Sequence, residues 1–149
     1  MHFLIQSART YAFEKNICSV LHGPQDMRIM ECSVPKPKED QVLVKMDTVG
    51  ICGTDMHFYR NGSIGGIKID KPFVLGHEGA GIIVELGRSV KDFKVGDRVA
   101  LEPGVSCRKC HYCKSGRYHL CQNQAFNGLP PTNGLFKQYA AHDADFCYR

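Results

Sequence analysis

Hydrophobic and polar residues alternate along several short stretches of the chain. The clearest stretch covers residues 41–49, where Val42, Val44 and Met46 fall on one face and Lys45 falls on the other. Successive side chains of a strand point to opposite faces, so a period of two residues predicts a half-buried β-strand here.

Glycines and turn residues delimit two further strands. Residues 79–86 read Gly-Ala-Gly-Ile-Ile-Val-Glu-Leu and end at Gly87, and a turn at 95–98 leads into a third strand at 99–101. A charged, proline-rich stretch at 34–40 predicts an extended connection on the surface.

Helical signal is confined to one short segment. Thr54 or Asp55 is expected to cap a helical turn that runs through Tyr59 and that Asn61 and Gly62 end. Short strands separated by glycines, with so little helix, predict a mainly β fold, either a small barrel or a sandwich.

The length and composition fit one globular domain. The chain has 149 residues, 43% of them hydrophobic and 23% charged. No apolar run approaches the roughly 18 residues that a membrane span needs. Residues 1–16 lack a sustained apolar stretch and a cleavage pattern, so they predict a loose leader rather than a secretory signal, with the domain at 17–149.

Charge and cysteine content narrow the class of protein. The net charge is +4, from 19 basic and 15 acidic residues, and the basic residues form no block of the kind that binds nucleic acid. The chain has eight cysteines and no export signal. We therefore expect it in the reducing cytoplasm, where closely spaced cysteines indicate metal binding more often than disulfides.

Four of the cysteines form a compact cluster with the spacing C-x2-C-x2-C-x7-C, at Cys107, Cys110, Cys113 and Cys121. Four thiolates from one short loop can complete a tetrahedron around Zn²⁺ and leave no position for a substrate. The alternatives are two disulfides or an iron–sulfur cluster, although Gln122 stands where ferredoxin-type motifs place a proline. The spacing favours a structural zinc loop over residues 107–121.

A second group of candidate ligands is spread along the chain. Cys52 follows the first predicted strand, and His77 and Glu78 precede the second. A thiolate, an imidazole and a carboxylate would form a three-ligand set with one open zinc position. Spacing alone equally allows a buried small thiol and a polar surface pair, so both interpretations stay open at this point.

Four motifs occur in the order that is typical of one enzyme family. The segments 49–57, 76–81 and 95–99, followed by the cysteine loop, resemble the signature of the zinc-dependent medium-chain alcohol dehydrogenases over residues 17–149. Three further details resemble the sorbitol and related polyol dehydrogenases, namely 62–65, 101–104 and 145–148. Threonine dehydrogenases share the first motifs and are the nearest alternative.

The resemblance implies a GroES-like β-barrel with short helices and a zinc-binding loop. It also implies two zinc ions, a structural one in the cysteine loop and a catalytic one held by Cys52, His77 and Glu78. Thr54 would relay the substrate proton, and His57 would extend that relay.

Two further residues follow from the resemblance. Asp55 would orient the metal ligand His77. Phe58 stands where polyol dehydrogenases often carry a tyrosine beside the substrate.

The activity that the resemblance implies is the oxidation of a polyol such as sorbitol or xylitol to a ketose, with NAD as the acceptor. NAD would bind a Rossmann domain that follows Arg149 in the family, since this chain has no G-x-G-x-x-G fingerprint. The full-length enzyme is expected to be a homo-oligomer, and this chain alone to be inactive. The alternatives are a threonine dehydrogenase-like enzyme and a non-catalytic zinc-binding interaction module.

Overall fold

The computed structural model describes residues 15–149. Residues 1–14, most of the expected leader, lie outside the described part of the chain. The first strand begins at Asn16, one residue before the expected start of the domain. Asn16 is 1% exposed, and its side-chain amide donates hydrogen bonds to the carbonyls of Ser33 and Tyr139. This residue therefore belongs to the folded domain.

Twelve strands, most of them short, make up the described part of the chain. They are β1 (Asn16–Gly23), β2 (Asp26–Cys32), β3 (Gln41–Gly50), β4 (Ser63–Ile64), β5 (Ile67–Lys68), β6 (Phe73–Val74), β7 (Glu78–Leu86), β8 (Arg98–Leu101), β9 (Gly104–Val105), β10 (Ala125–Phe126), β11 (Tyr139–Asp143) and β12 (Cys147–Tyr148).

Helices are few and short. The α-helices are α1 (Gly53–Asn61) and α2 (His111–Lys114), and 3₁₀ turns lie at Tyr118–Leu120 and Ala144–Phe146. Between residues 15 and 149, no helix has the length and apolar character that crossing a membrane requires.

The strands pair in four antiparallel sheets. The largest has the order β11-β3-β7-β8-β12, and a second has the order β2-β1-β6. Residues 136–138 join these two sheets, because Ser19 N–H donates to the Phe136 carbonyl at 2.8 Å and Met46 N–H donates to the Gln138 carbonyl at 2.8 Å. The pairs β9–β10 and β4–β5 lie outside them. The predicted mainly β fold is confirmed.

Two apolar clusters form most of the core. The larger lies on the inner face of the five-stranded sheet and contains Val42, Val44, Ile83, Val99, Leu101, Leu135, Ala140 and Cys147. The smaller lies under α1 and contains Leu21, Phe58, Phe73 and Leu75. The alternating exposure along β7 places Ile83 inside and Ile82 outside, as a period of two requires.

The three predicted strands are all present, as β3, β7 and β8. The prediction of a half-buried β3 was incomplete, because Leu43 on its second face is only 1% exposed. The stretch 34–40 has no helix or strand, as predicted.

The expected helix is also present, as α1, but the predicted cap was wrong. Cys52 is the residue that precedes the first helical turn, and Asp55 lies inside that turn. The Asp55 carboxylate accepts a hydrogen bond from Cys52 N–H, so it satisfies the helix terminus from within.

Neighbouring isoleucines of β7 provide a matched test of the core. We expect Ile83→Ala to lower the free energy of unfolding by about 2–5 kcal/mol, because it leaves a cavity in the larger cluster. Ile82→Ala removes the same atoms from a side chain that is 37% exposed, and it should cost at most about 1 kcal/mol. Urea denaturation at a fixed zinc concentration measures both values. Equal losses for the two variants would contradict the assigned facing of β7.

Candidate metal centres

The pairing of β3 with β7 brings the dispersed candidate ligands together. The strands are antiparallel, and Gly50 at the end of β3 pairs with Glu78 at the start of β7. Cys52 follows Gly50 by two residues, and His77 immediately precedes Glu78. One ligand atom from each of Cys52, His77 and Glu78 lies within 4.8 Å of the other two.

This trio fits a zinc ion. The donors are sulfur, nitrogen and oxygen, which bind Zn²⁺ at about 2.0–2.3 Å, so ligand atoms a few ångströms apart can share one ion. The His77 side chain is 11% exposed, whereas Cys52 is half-buried and Glu78 is exposed. The trio therefore lies at the surface, with its imidazole nearly buried and its carboxylate exposed. Three protein ligands leave a tetrahedral ion one open coordination position.

A single buried carboxylate holds the two ligand-bearing loops. Asp55 is 3% exposed, and its Oδ2 accepts from Cys52 N–H at 2.9 Å while its Oδ1 accepts from Gly76 N–H at 3.0 Å. Hydrogen bonds to a charged acceptor are stronger than neutral ones. Asp55 therefore fixes the backbone on both sides of the site.

Asp55 is expected to orient His77, but it does not hydrogen-bond to the imidazole directly. Asp55 Oδ1 lies 3.8 Å from His77 Nδ1, beyond the usual N–H···O range of about 2.7–3.2 Å. In this structure the carboxylate acts on His77 through the Gly76 amide that precedes it.

Gly76 has a backbone that suits glycine alone. Its φ is +92°, and a Cβ built there would lie 2.6 Å from Cδ1 of Phe136. The close approach of Phe136 to this backbone fixes the direction in which the next residue, His77, leaves the loop.

An aromatic ring that the sequence did not indicate packs on the imidazole. The rings of Phe126 and His77 have centroids 5.7 Å apart and are tilted by 56°. Phe126 lies in β10, far along the chain from His77, and no motif or spacing in the sequence connects the two residues.

The remaining predicted site residues lie on α1. Thr54 Oγ1 is 3.8 Å from the Cys52 sulfur, so this hydroxyl borders the metal trio. His57 is exposed one turn further along the helix.

The expected position of Phe58 beside a substrate does not hold. Phe58 is 0% exposed and packs against Leu21, Phe73 and Leu75. Asp55 and Phe58, three residues apart, are the buried residues of α1, so the ring points into the core.

The four cysteines of the loop also converge. Their sulfurs all lie within 4.8 Å of one another, with Cys107 and Cys113 at 3.9 Å and Cys110 and Cys113 at 3.4 Å. These distances are too long for disulfides, and all eight cysteines of the chain are free. A tetrahedron with Zn–S bonds of 2.3 Å separates its sulfurs by about 3.8 Å, so the cluster fits a zinc ion.

Backbone N–H groups in this loop stabilise the thiolate form of cysteine, which is the form that binds a metal cation. Those of Lys109 and Cys110 point at the Cys107 sulfur and lower the pKa of its thiol to about 6. Cys107 N–H donates to the Cys121 sulfur at 3.4 Å. Zinc binds the thiolate form, so these donors favour the ionised state that coordination requires.

Arg108 fastens the loop to the end of the sheet. It adopts φ +60°, unusual for a residue other than glycine. Its guanidinium donates two hydrogen bonds of 2.7 Å to Asp145 and one of 2.5 Å to Asp143, and it lies 5.2 Å from the Phe146 ring centroid. These contacts join residues that are 35 and 37 positions apart.

Comparison with known proteins places this geometry in a family. Residues 38–149 match the alcohol dehydrogenase GroES-like domain. The chain is 47% identical over 140 residues to sorbitol dehydrogenase from Bacillus subtilis, covering 93% of this chain and 40% of that protein. It is 46% identical over 136 residues to a D-xylulose reductase A described as probable from Arthroderma otae, covering 91% and 38%.

A solved structure agrees with this assignment. An alcohol dehydrogenase from Escherichia coli CFT073, in complex with NADH, superposes with a TM-score of 0.79 at 34% identity and covers 91% of this chain and 38% of that one. The chain thus spans about two fifths of the length of the relatives it matches. With its GroES-like match and its two clustered sets of zinc-type ligands, the chain belongs to the zinc-type medium-chain alcohol dehydrogenases and resembles the sorbitol dehydrogenases among them.

Proposed function

We propose that this chain is the metal-binding catalytic domain of a polyol dehydrogenase. The complete enzyme would oxidise a sugar alcohol such as sorbitol or xylitol to a ketose and pass the hydride to NAD on a separate nucleotide-binding domain. The observation that carries the proposal is the three-ligand trio of Cys52, His77 and Glu78, which leaves one coordination position open. The names of the relatives supply the substrate class.

The two metal sites have different proposed roles. Zinc at the trio would supply Lewis-acid chemistry, which makes a hydroxyl group more acidic. Zinc at the four cysteines would have no free position and would stabilise the loop. A binding module needs only the second kind of site, so the open trio favours an enzyme.

The protein groups around the trio suit a proton-removal step. The Thr54 hydroxyl borders the Cys52 sulfur and can both accept and donate a proton. The exposed His57 lies one turn further out, towards solvent. We propose that Thr54 takes the substrate hydroxyl proton and that His57 extends its path to water.

The cofactor and assembly belong to the same proposal. NAD is supported by the relative solved with NADH. A complete enzyme would form a homo-oligomer in which this domain positions the substrate carbon against the nicotinamide.

Zinc content tests the two-site assignment. We expect about two zinc ions per chain, and about one in Cys52→Ala, because that substitution removes the only sulfur of the trio. Cys147→Ala is the matched control, since Cys147 is a buried free cysteine outside both clusters, and it should keep about two. Elemental analysis gives the counts. One zinc per chain, with no change in Cys52→Ala, would show that the trio does not hold the metal.

The buried carboxylate can be tested separately. Asp55→Asn keeps the shape of the side chain, but its amide group turns a donor towards Cys52 N–H or Gly76 N–H. We expect the trio to lose zinc affinity about 10–100-fold, as measured by competition with a chelator. The zinc of the four-cysteine loop should remain and serves as the check on folding.

Asp92→Asn, at an exposed carboxylate, makes the same chemical change as Asp55→Asn away from both sites. It should leave both zinc affinities unchanged. An equal effect of the two substitutions, or none from Asp55→Asn, would refute the role given to Asp55.

Substrate preference tests the activity. In the complete enzyme containing this chain, we expect kcat/KM for sorbitol or xylitol to exceed that for L-threonine at least tenfold, which is about 1.4 kcal/mol in transition-state binding. An amino acid requires groups for its ammonium and its carboxylate, whereas a polyol requires only hydrogen bonds. The isolated chain should produce no NADH and is the blank. A tenfold preference for threonine or for a primary alcohol would exclude the polyol assignment.

A further inference from the structure

Two cysteines outside both metal clusters lie side by side on the β1–β2 hairpin. The register pairs Asn16 with Cys32 and Cys18 with Met30, so Cys18 and Cys32 are diagonal neighbours on one face of the sheet. Cys32 packs against the small buried cluster of Cys18, Val20 and Val74. The Cys32 side chain is near enough to Cys18 to contribute to the raised pKa of the Cys18 thiol.

The two thiols differ in accessibility. Cys18 is 2% exposed, and its burial raises the pKa of the thiol to about 12. Cys32 is partly exposed and is the last residue of β2, where the chain leaves the sheet. Susceptibility of a thiol to oxidants follows its exposure and its thiolate character, so Cys32 is the thiol that an oxidant reaches and Cys18 is the protected partner.

A lysine accompanies the pair. Lys137 forms an antiparallel bridge with Cys18 on the side of β1 away from β2, and it interacts electrostatically with both sulfurs. A nearby cation favours a thiolate. Burial lowers the pKa of Lys137, which makes its amine a better proton acceptor than an exposed lysine would be.

We propose that Cys18 and Cys32 form a redox-sensitive dithiol that a hydroperoxide converts reversibly into an intramolecular disulfide. The Cys32 sulfur attacks the peroxide oxygen and becomes a sulfenic acid, and H₂O₂ leaves one water. The Cys18 thiol then attacks the oxidised sulfur, the S–S bond forms and a second water leaves. The two thiols lose two electrons and two protons, and H₂O₂ takes up both.

The positions of Cys18 and Cys32 allow a disulfide bond to form, but that bond would be strained. Diagonal neighbours have Cα atoms about 7–8 Å apart, slightly more than the range of about 4.4–6.8 Å in disulfides. Cys32 is the last residue of β2, so closing the bond requires a shift only at the end of that strand. A strained disulfide is easily reduced, which is the property a reversible switch requires.

Mass spectrometry of the zinc-loaded chain tests the pair directly. After treatment with H₂O₂ and alkylation of remaining thiols, we expect a tryptic disulfide between the peptides 16–28 and 29–38, each of which contains one cysteine. Dithiothreitol should reverse it. Bound zinc keeps the five cysteines of the two metal clusters coordinated during the reaction. Cys147→Ala, the control at another buried thiol, should give the same yield.

Substitutions at Cys32 and Lys137 separate the roles of the two residues. Cys32→Ser should abolish the linked peptides. Lys137→Met should slow their formation at least threefold, and Lys137→Arg should restore most of the rate, because the cation returns. Circular dichroism of each variant confirms that the sheet is retained.

Several results would overturn the proposal. In the first, other cysteines oxidise but peptides 16–28 and 29–38 are not linked. In the second, the link forms only between two chains. In the third, Cys32 is oxidised to a sulfenic acid that does not react with Cys18. Each would show that the diagonal pair does not close.

Discussion

The geometry of the Cys52, His77 and Glu78 trio depends on one buried carboxylate. The Asp55 carboxylate is almost fully enclosed, and an ionised group in such a place is costly unless hydrogen bonds compensate it. Cys52 N–H and Gly76 N–H supply that compensation from two different loops. Neither loop can move without leaving the carboxylate unpaired, so the same interaction that stabilises the helix terminus also sets the separation between the thiol and the imidazole.

The sheet provides the other constraint. The antiparallel register of β3 and β7 places Gly50 opposite Glu78, and a Cβ at Gly50 would lie 3.2 Å from the Glu78 Cβ. Glycine therefore leaves room for the carboxylate to reach the trio. Because every side chain would change face if this register slipped by one residue, the buried faces of β3 and β7 also protect the metal site.

Much of this organisation was predictable where its cause is local. Period-two alternation predicted β3, and bounding glycines predicted β7. The spacing of the cysteines predicted their cluster, because three of them are only three positions apart and the fourth follows within the same short loop. The trio was different: Cys52 and His77 are brought together by strand register, which spacing does not encode, and only the resemblance to a family indicated the set. Phe58 was misplaced because a motif does not specify which face of α1 packs on the core. Phe126 and Arg108 act through contacts distant in sequence and carried no recognisable signal.

The two metal centres therefore depend on the fold in different ways. The four-cysteine loop lies within 15 positions of sequence, so its closure orders only a short loop, and Arg108 then fastens it to the sheet. The trio needs β3, β7 and α1 in place before its ligands meet, so it is a product of the folded domain. The buried Asp55 carboxylate supports a trio that faces the surface. This arrangement suits a site that keeps three protein ligands fixed while the ligand at the fourth coordination position exchanges. A closed loop of four thiolates suits a site that exchanges nothing.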